Sequence, residues 1–368
     1  MVSSDEPPAG TTASPDLTLE ELRLATRNHG MPLEALRYDV TPVGLHYLLV
    51  HYDIPAVDPR SWRLEVGGLV QRPRAWTVDE LRTRPAVTHR VTMECAGNGR
   101  ARLRPRALSQ PWLHEAVGTG EWTGTPLAGL LAESGLAAAA SEVVFTGLDR
   151  GVEGGITQHY QRSLPLDEAR RDDVLLAYGL NGQPLPPQHG APLRLLVPGW
   201  YGMASVKWLQ RVTVTDEPFE GYQQARAYRL RDRPDERGRP LSRMAVRSLL
   251  LPPGIPDFFT RRRVLDQGRC VLEGRAWSGH GAIVAVEVST DGGLSWRDAQ
   301  LQPPPDPRAW TRWHATWTPP GPGSYELCSR ATDAAGNSQP DEPVWNLGGY
   351  AVNAVHRVPV EVRSPSGA

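Results

Sequence analysis

Two residues carry most of the chemistry legible in this chain, one cysteine and one lysine. Cys95 lies in VTMECAGNGRARLRPR, at the end of a predicted strand and before a Gly/Asn-rich turn. A thiol so placed projects from a rigid element toward backbone N–H groups, with Arg100 and Arg102 adding positive potential, and both influences favour the thiolate. Three readings stay open: a buried structural thiol, a nucleophile needing a partnered histidine, and a soft metal ligand whose companion donors come from a cofactor. No cysteine-protease signature accompanies it. Lys207 is the single lysine among 40 basic residues. Any phosphate-gripping lysine must be this one, and Val206 before it, where a P-loop needs glycine, closes the Walker-type reading.

Against the 40 basic residues stand 41 acidic ones, so the net charge of −1 predicts no nucleic-acid or membrane partner. Cys95, Cys270 and Cys328 are too far apart for CxxC metal spacing, and the last two read as free thiols. No apolar run approaches the ~18 residues of a membrane span. MVSSDEPPAGTTASPD lacks the pattern of an export signal, which predicts a cytoplasmic protein, or a periplasmic one if a signal has been removed.

These groups need elements to hold them. Residues 1–40 read as a polar tail followed by a helix over 16–28 with Leu19, Leu22 and Ala25 on its apolar face. Thr125 as N-cap, Pro126 at the first position and Gly135 as terminator predict a second helix. Strands are predicted at 62–70, 89–95, 142–149, 173–180, 192–199 and 207–215. Their irregular interleaving with helices, without a βαβ repeat, predicts a mixed α+β domain over 41–240. Residues 216–264, rich in Arg and Pro, read as a solvated connector. Short alternating strands with turns such as DGG at 291–293 then predict an antiparallel, immunoglobulin-like β-sandwich over 241–368. In AIVAVEVST, Val284, Val286 and Val288 share one face.

ECAGNGR resembles the CAGN-R segment of the sulfite oxidase family, in which that cysteine is the protein ligand to the molybdenum of a molybdopterin cofactor. The stretch at 176–212, including HGAPLR and ASVKWL, resembles the family's pterin-binding region; 117–131 resembles its following helix region; 275–296 and 344–360 resemble its dimerisation domain. The resemblance implies that Cys95 binds the metal and that His189, Arg194, Ser205, Val206 and Lys207 bind the cofactor, with His51, Asp149 and Ser163 as further contacts. It implies an active-site Tyr228, a pocket tryptophan at Trp112 and an oxyanion-holding Arg100. Arginine forks and an ammonium suit a phosphate.

The chain departs from the family pattern where the family is cationic. Leu49 and Val50 replace an Arg and an Asn, Gly348 replaces an Arg, and Leu108 or Gln110 replaces a Lys. Arg100 remains, with Arg102, Arg104 and Arg162 as candidates to reach the pocket from new directions. The resemblance implies oxygen-atom transfer with sulfite as leading substrate, no heme domain in this chain, a separate electron acceptor or donor, and a homodimer. The alternatives are an oxidase or reductase of a less anionic S- or N-oxide, and a non-catalytic dimeric binding module.

Overall fold

A computed structural model describes residues 17–364. The polar segment 1–16 lies outside the described residues. In the first half of the chain a five-stranded sheet runs in the order Arg74–Trp76, Leu64–Gly68, Leu209–Thr215, Glu142–Glu153 and Ile156–Pro165. Alternation sets its buried face: Val143 and Phe145 are fully buried, and Val214 and Val212 opposite them are buried too. A second sheet contains Val87–Glu94, Val117–Pro126, Leu175–Leu180 and Gln183–Pro184, with Arg194–Leu196 also pairing with Leu175–Leu180.

Three sequence expectations are corrected here. Thr125 is no N-cap; it closes the strand Val117–Pro126, pairing with Leu176, and the helix Leu127–Ser134 starts behind Pro126 without a side-chain cap. Gly135 does end that helix, at φ 70°. The first helix is only Leu19–Ala25, and its apolar side faces outward: Leu19 and Leu22 are exposed, whereas Glu21 is buried. The docked face is set by a bidentate fork, Arg106 Nε and Nη2 donating to Glu21 at 3.0 and 2.7 Å. The chain at 216–264, expected to be a solvated connector, places Gln223, Tyr228 and Arg229 in the interior and contributes Arg247–Leu250 to the next domain.

The second domain is a sandwich. One sheet orders Arg247–Leu250, Cys270–Trp277, Thr311–Trp317 and Gln300–Gln302; the other orders Ile255–Pro256, Arg263–Asp266, His356–Arg363, Gly323–Asp333, Ile283–Ser289 and Arg297–Asp298. Pairing is antiparallel except where Arg263–Asp266 lies parallel to His356–Arg363. Trp313 and Leu327, both fully buried, fill the space between sheets. A bulge between Ile283 and Ala285 throws Val284 out of phase, so it is exposed while Val286 and Val288 are buried. Cys270 and Cys328 are free thiols.

The two domains are packed into one body. Trp277, Trp310, Met244 and Leu249 of the sandwich side join the large core of the first domain. Residues 34–39 cross the same seam: Glu34 binds Arg263 at 2.9 Å, and Asp39 binds Arg275 at 2.9 Å. At the centre of the seam Glu94 meets Arg247 at 3.0 Å, both 3% exposed. Burial raises the Glu94 pKa, against the pull of Arg247 and of hydrogen bonds from Trp277 and Asn98. Arg247→Met alone strands a buried carboxylate, so we expect a loss of about 3–5 kcal/mol of unfolding free energy in urea titration, largely recovered when Glu94→Leu is added.

Candidate active site

The strand Val87–Glu94 delivers Cys95 to a tight turn, in which Asn98 N–H donates to the Cys95 carbonyl at 3.0 Å. Asn98 is the brace of this turn. Its Nδ2 donates to Glu94 at 3.0 Å and its Oδ1 accepts from Ala116 N–H at 3.1 Å. A side chain on Gly97 would meet the Arg100 guanidinium at 2.7 Å, so glycine is required for Arg100 to fold back over the turn. Burial raises the Cys95 pKa, opposed by the Gly97 backbone and by Arg100. The thiolate-favouring influences read from the sequence are therefore real for Arg100 and the turn, but burial outweighs them. Arg102 turns away to His114 Nε2 at 3.2 Å.

Two chambers meet at Cys95, with Leu49, His51, Cys95 and Tyr228 lining both. The inner one, about 70 Å³, also gathers Asp149, His189, Arg194, Ser205 and Lys207. Arg194 comes from the short strand Arg194–Leu196, and its Nη1 and Nη2 donate to the carbonyls of His189 (3.0 Å) and Ser205 (2.9 Å). Lys207 Nζ donates to the carbonyls of Leu49 at 2.8 Å and Gln188 at 3.1 Å. Gly190, at φ 109°, lets the HGAP loop pass where a Cβ would sit 2.9 Å from the Lys207 side chain.

Among the described residues neither Arg194 nor Lys207 makes a salt bridge, and the one carboxylate in the inner chamber, Asp149, acts on Lys207 without pairing with it. Burial, reinforced by Arg194, lowers Lys207 to about 7, and burial lowers Arg194 to about 10. Burial also lowers His189 to about 2, and raises Asp149 to about 6 against the attraction of Lys207. Asp149 Oδ1, Arg194 Nε and His46 Nε2 are buried with no hydrogen-bond partner. Cations lacking a salt bridge beside donors and acceptors lacking partners are what a phosphorylated, polar heterocycle would complete. Among the described residues no group of three His, Cys, Asp or Glu is placed to hold a metal, so a metal at Cys95 takes its other donors from elsewhere.

The outer chamber, about 270 Å³, adds Arg100, Trp112, Gln110, Glu153, Gln223 and Tyr350. Arg100 lies 4.9 Å above the Tyr350 ring. Of the arginines expected to approach from new directions, Arg102 and Arg104 do not line either chamber. Arg162 reaches only the far side of Tyr228, 5.6 Å from its ring. Ser163 and Val206 also leave the walls. Ser163 is buried opposite Val144, and the Val206 side chain packs in the hydrophobic core. Gln110 lines the outer chamber, whereas Leu108 is 64% exposed and lines a neighbouring hollow.

Sequence reasoning missed His46, Tyr47, Met93, Tyr160 and Met203 in the inner chamber, and Tyr52, Glu153, Gln223 and Tyr350 in the outer. Glu153 had one signal, its position four residues beyond Asp149 on the strand Glu142–Glu153. The others come together only through folding.

A two-domain protein with a cation-lined cofactor chamber behind a buried cysteine defines a class, the molybdopterin oxidoreductases. The family model for the oxidoreductase molybdopterin-binding domain matches residues 51–223, and that for the Mo-co oxidoreductase dimerisation domain matches 240–363. Rat mitochondrial sulfite oxidase is 35% identical over 88% of this chain and 62% of its own length, so the chain spans about three-fifths of that relative. Barley NAD(P)H nitrate reductase is 34% identical over 89% of this chain and 40% of its own. The crystal structure of the sulfane dehydrogenase SoxCD from Paracoccus pantotrophus superposes with a TM-score of 0.76 at 28% identity, covering 96% of this chain and 92% of that one. The chain belongs to the sulfite oxidase family of molybdopterin-dependent oxidoreductases.

The buried histidines set the acid limit. His46, His189 and His356 are lowered to about 4, 2 and 3 by burial, and His114 well below its usual value. A lowered folded pKa means the unfolded chain binds the extra proton, so stability is full above the unfolded pKa of ~6.5 and falls as pH drops below it. From pH 7 to 5 each contributes a loss of about 2 kcal/mol. Asp149, shifted the other way, offsets part of this. We expect the urea midpoint of the cofactor-free chain to drop steeply across that interval.

Proposed function

We propose that this protein is a molybdopterin-dependent oxidoreductase that catalyses two-electron oxygen-atom transfer on a small sulfur oxyanion, with sulfite as the leading substrate. The carrying observation is the position of Cys95 in the common wall between a cation-lined inner chamber and an outer chamber reached by Arg100 and Tyr228. The Cys95 thiolate would ligate the metal. Arg194, Lys207 and His189 would hold the phosphate-bearing end of the cofactor, and Asp149 and His51 would bond its polar edge. When bound, the molybdenum cofactor supplies the electron sink and the transferable oxygen.

The remaining steps belong to side chains. Arg100 faces the outer chamber with Nη2 free of hydrogen bonds, because its Nε donates to the Gly348 and Gly349 carbonyls and its Nη1 to that of Gln110. That free end would neutralise oxyanion charge as it develops. The Tyr228 hydroxyl, its pKa raised well above the usual value by burial, stays protonated and acts as a donor to substrate oxygen. Trp112 walls the chamber from the side of the 95–112 loop. A less anionic substrate is the second reading, favoured by Leu49 and Val50 on the wall of the outer chamber. Electrons would leave to a separate acceptor, and the second domain would mediate a homodimer.

Purified, matured protein should contain about one molybdenum per chain, and Cys95→Ser should abolish turnover with sulfite and ferricyanide; protein matured in a competent host yet free of metal and pterin would overturn the assignment. Lys207→Arg should lower pterin content severalfold, measured by fluorescence after oxidative release, because the planar fork cannot repeat the point contacts of the ammonium.

A further inference from the structure

The outer chamber has a charge pattern that a bare oxyanion does not use. Among the described residues its wall holds one arginine, Arg100, and one carboxylate, Glu153. Arg100 spends three of its donor contacts on backbone carbonyls and keeps only Nη2 free, which suits a singly charged head and cannot by itself balance a dianion. Glu153 is built in with equal care. Its Oε2 accepts from His51 Nε2 at 2.9 Å, the Tyr52 hydroxyl at 3.0 Å and Gln223 Nε2 at 2.6 Å, while Oε1 has no partner and the side chain is 31% exposed. These donors lower its pKa despite burial, so the carboxylate is ionised at neutral pH.

Leu49, Val50, Val152 and Ala227 supply apolar wall to the same chamber. Arg226, Arg229 and Arg231 line a neighbouring hollow that shares Glu153 with this chamber, and none of the three lines the chamber itself. A ligand complementary to all three features has a monoanionic oxyanion head, a short alkyl stem and a cationic tail.

We propose that the outer chamber is a binding site for aminoalkyl sulfinates, with the sulfinate on Arg100, the stem on the apolar wall and the ammonium on Glu153 Oε1. The proposal rests on the oxygen-transfer reading above and sharpens its substrate class. The reaction is R–SO₂⁻ + H₂O → R–SO₃⁻ + 2H⁺ + 2e⁻. One S–O bond forms on the sulfur lone pair, no C–S bond breaks, sulfur is oxidised by two electrons, and a one-electron acceptor, ferricyanide in the assay, is reduced twice. Sulfite undergoes the same change but has neither stem nor tail to engage Glu153, and its product dianion meets a carboxylate.

The test begins with binding of products to the oxidised holoenzyme by calorimetry, using 2-aminoethanesulfonate, ethanesulfonate and sulfate. We expect 2-aminoethanesulfonate to bind at least tenfold more tightly than either of the others, and Glu153→Gln to remove that advantage while leaving ethanesulfonate within about twofold. Turnover should follow, with kcat/KM for 2-aminoethanesulfinate exceeding that for sulfite at least tenfold in the native protein. Sulfate binding as tightly as the aminosulfonate in the native protein would overturn the proposal without any variant, as would a preference that survives Glu153→Gln in folded, molybdenum-loaded enzyme. Failure of the loaded enzyme to oxidise any of these sulfur compounds would instead overturn the oxygen-transfer reading, whatever the binding order.

Discussion

Everything about the site depends on a buried ion pair that is not in the site. Glu94 and Arg247 meet at 3.0 Å across the seam between the domains, and each is tied further. Glu94 accepts from Asn98 and from the Trp277 indole at 2.9 Å, while Arg247 donates to the carbonyls of Asn98 and Val352. One acidic residue thus joins the strand that carries Cys95 to the sandwich that carries Arg247 and Trp277. Desolvating two charges is costly, and the hydrogen bonds each partner makes beyond the pair offset part of that cost. Arg247 Nε is left buried without a partner, but the bonds that do form run through Asn98 of the Cys95 turn, so the geometry of the thiol is set by both domains together.

The same logic runs in reverse inside the cofactor chamber. Arg194 and Lys207 are held by backbone carbonyls of Leu49, Gln188, His189 and Ser205, which orient them without neutralising them. A protein that places two cations around a cavity, ties neither into a salt bridge and sets only Asp149 near them leaves part of the balance to a ligand. Structural stability and ligand affinity are therefore opposed at this point: what burial costs the empty chamber is what an anionic cofactor recovers. The outer chamber follows a different rule, with Arg100 and Glu153 opposing one another in charge and neither fully satisfied.

Much of this was legible in the chain before folding. Cys95 followed by a Gly/Asn turn, the HGAPLR and ASVKW segments, and the alternating strands after 270 are local patterns, and the local pattern carries the backbone geometry they need. Two of the misread elements failed for long-range reasons. Helix Leu19–Ala25 is oriented by Arg106, 85 residues from Glu21, and Thr125 is held in a strand by Leu176. Residues 216–264 look like a charged connector because their arginines are numerous, yet Arg229 spends its donors on the carbonyls of Arg237 and Gly238, and Arg247 on the seam. Composition records how many charges there are and not which carbonyls they meet.

The sequence by itself determined the family, the two-domain plan, the identity of the thiol and the single lysine, because each rests on residue type and short spacing. It also located the places where family arginines are missing. Only the tertiary structure decided what stands there instead. Leu49 and Val50 form apolar wall, Tyr350 lies where a Cβ on Gly348 would collide with its ring at 2.4 Å, and Glu153 arrives from a distant strand to face Arg100's chamber. Residue types fix which interactions are available, but which of them share one pocket depends on contacts more than a hundred residues apart, such as His51 with Glu153, and those exist only once the sheets have packed.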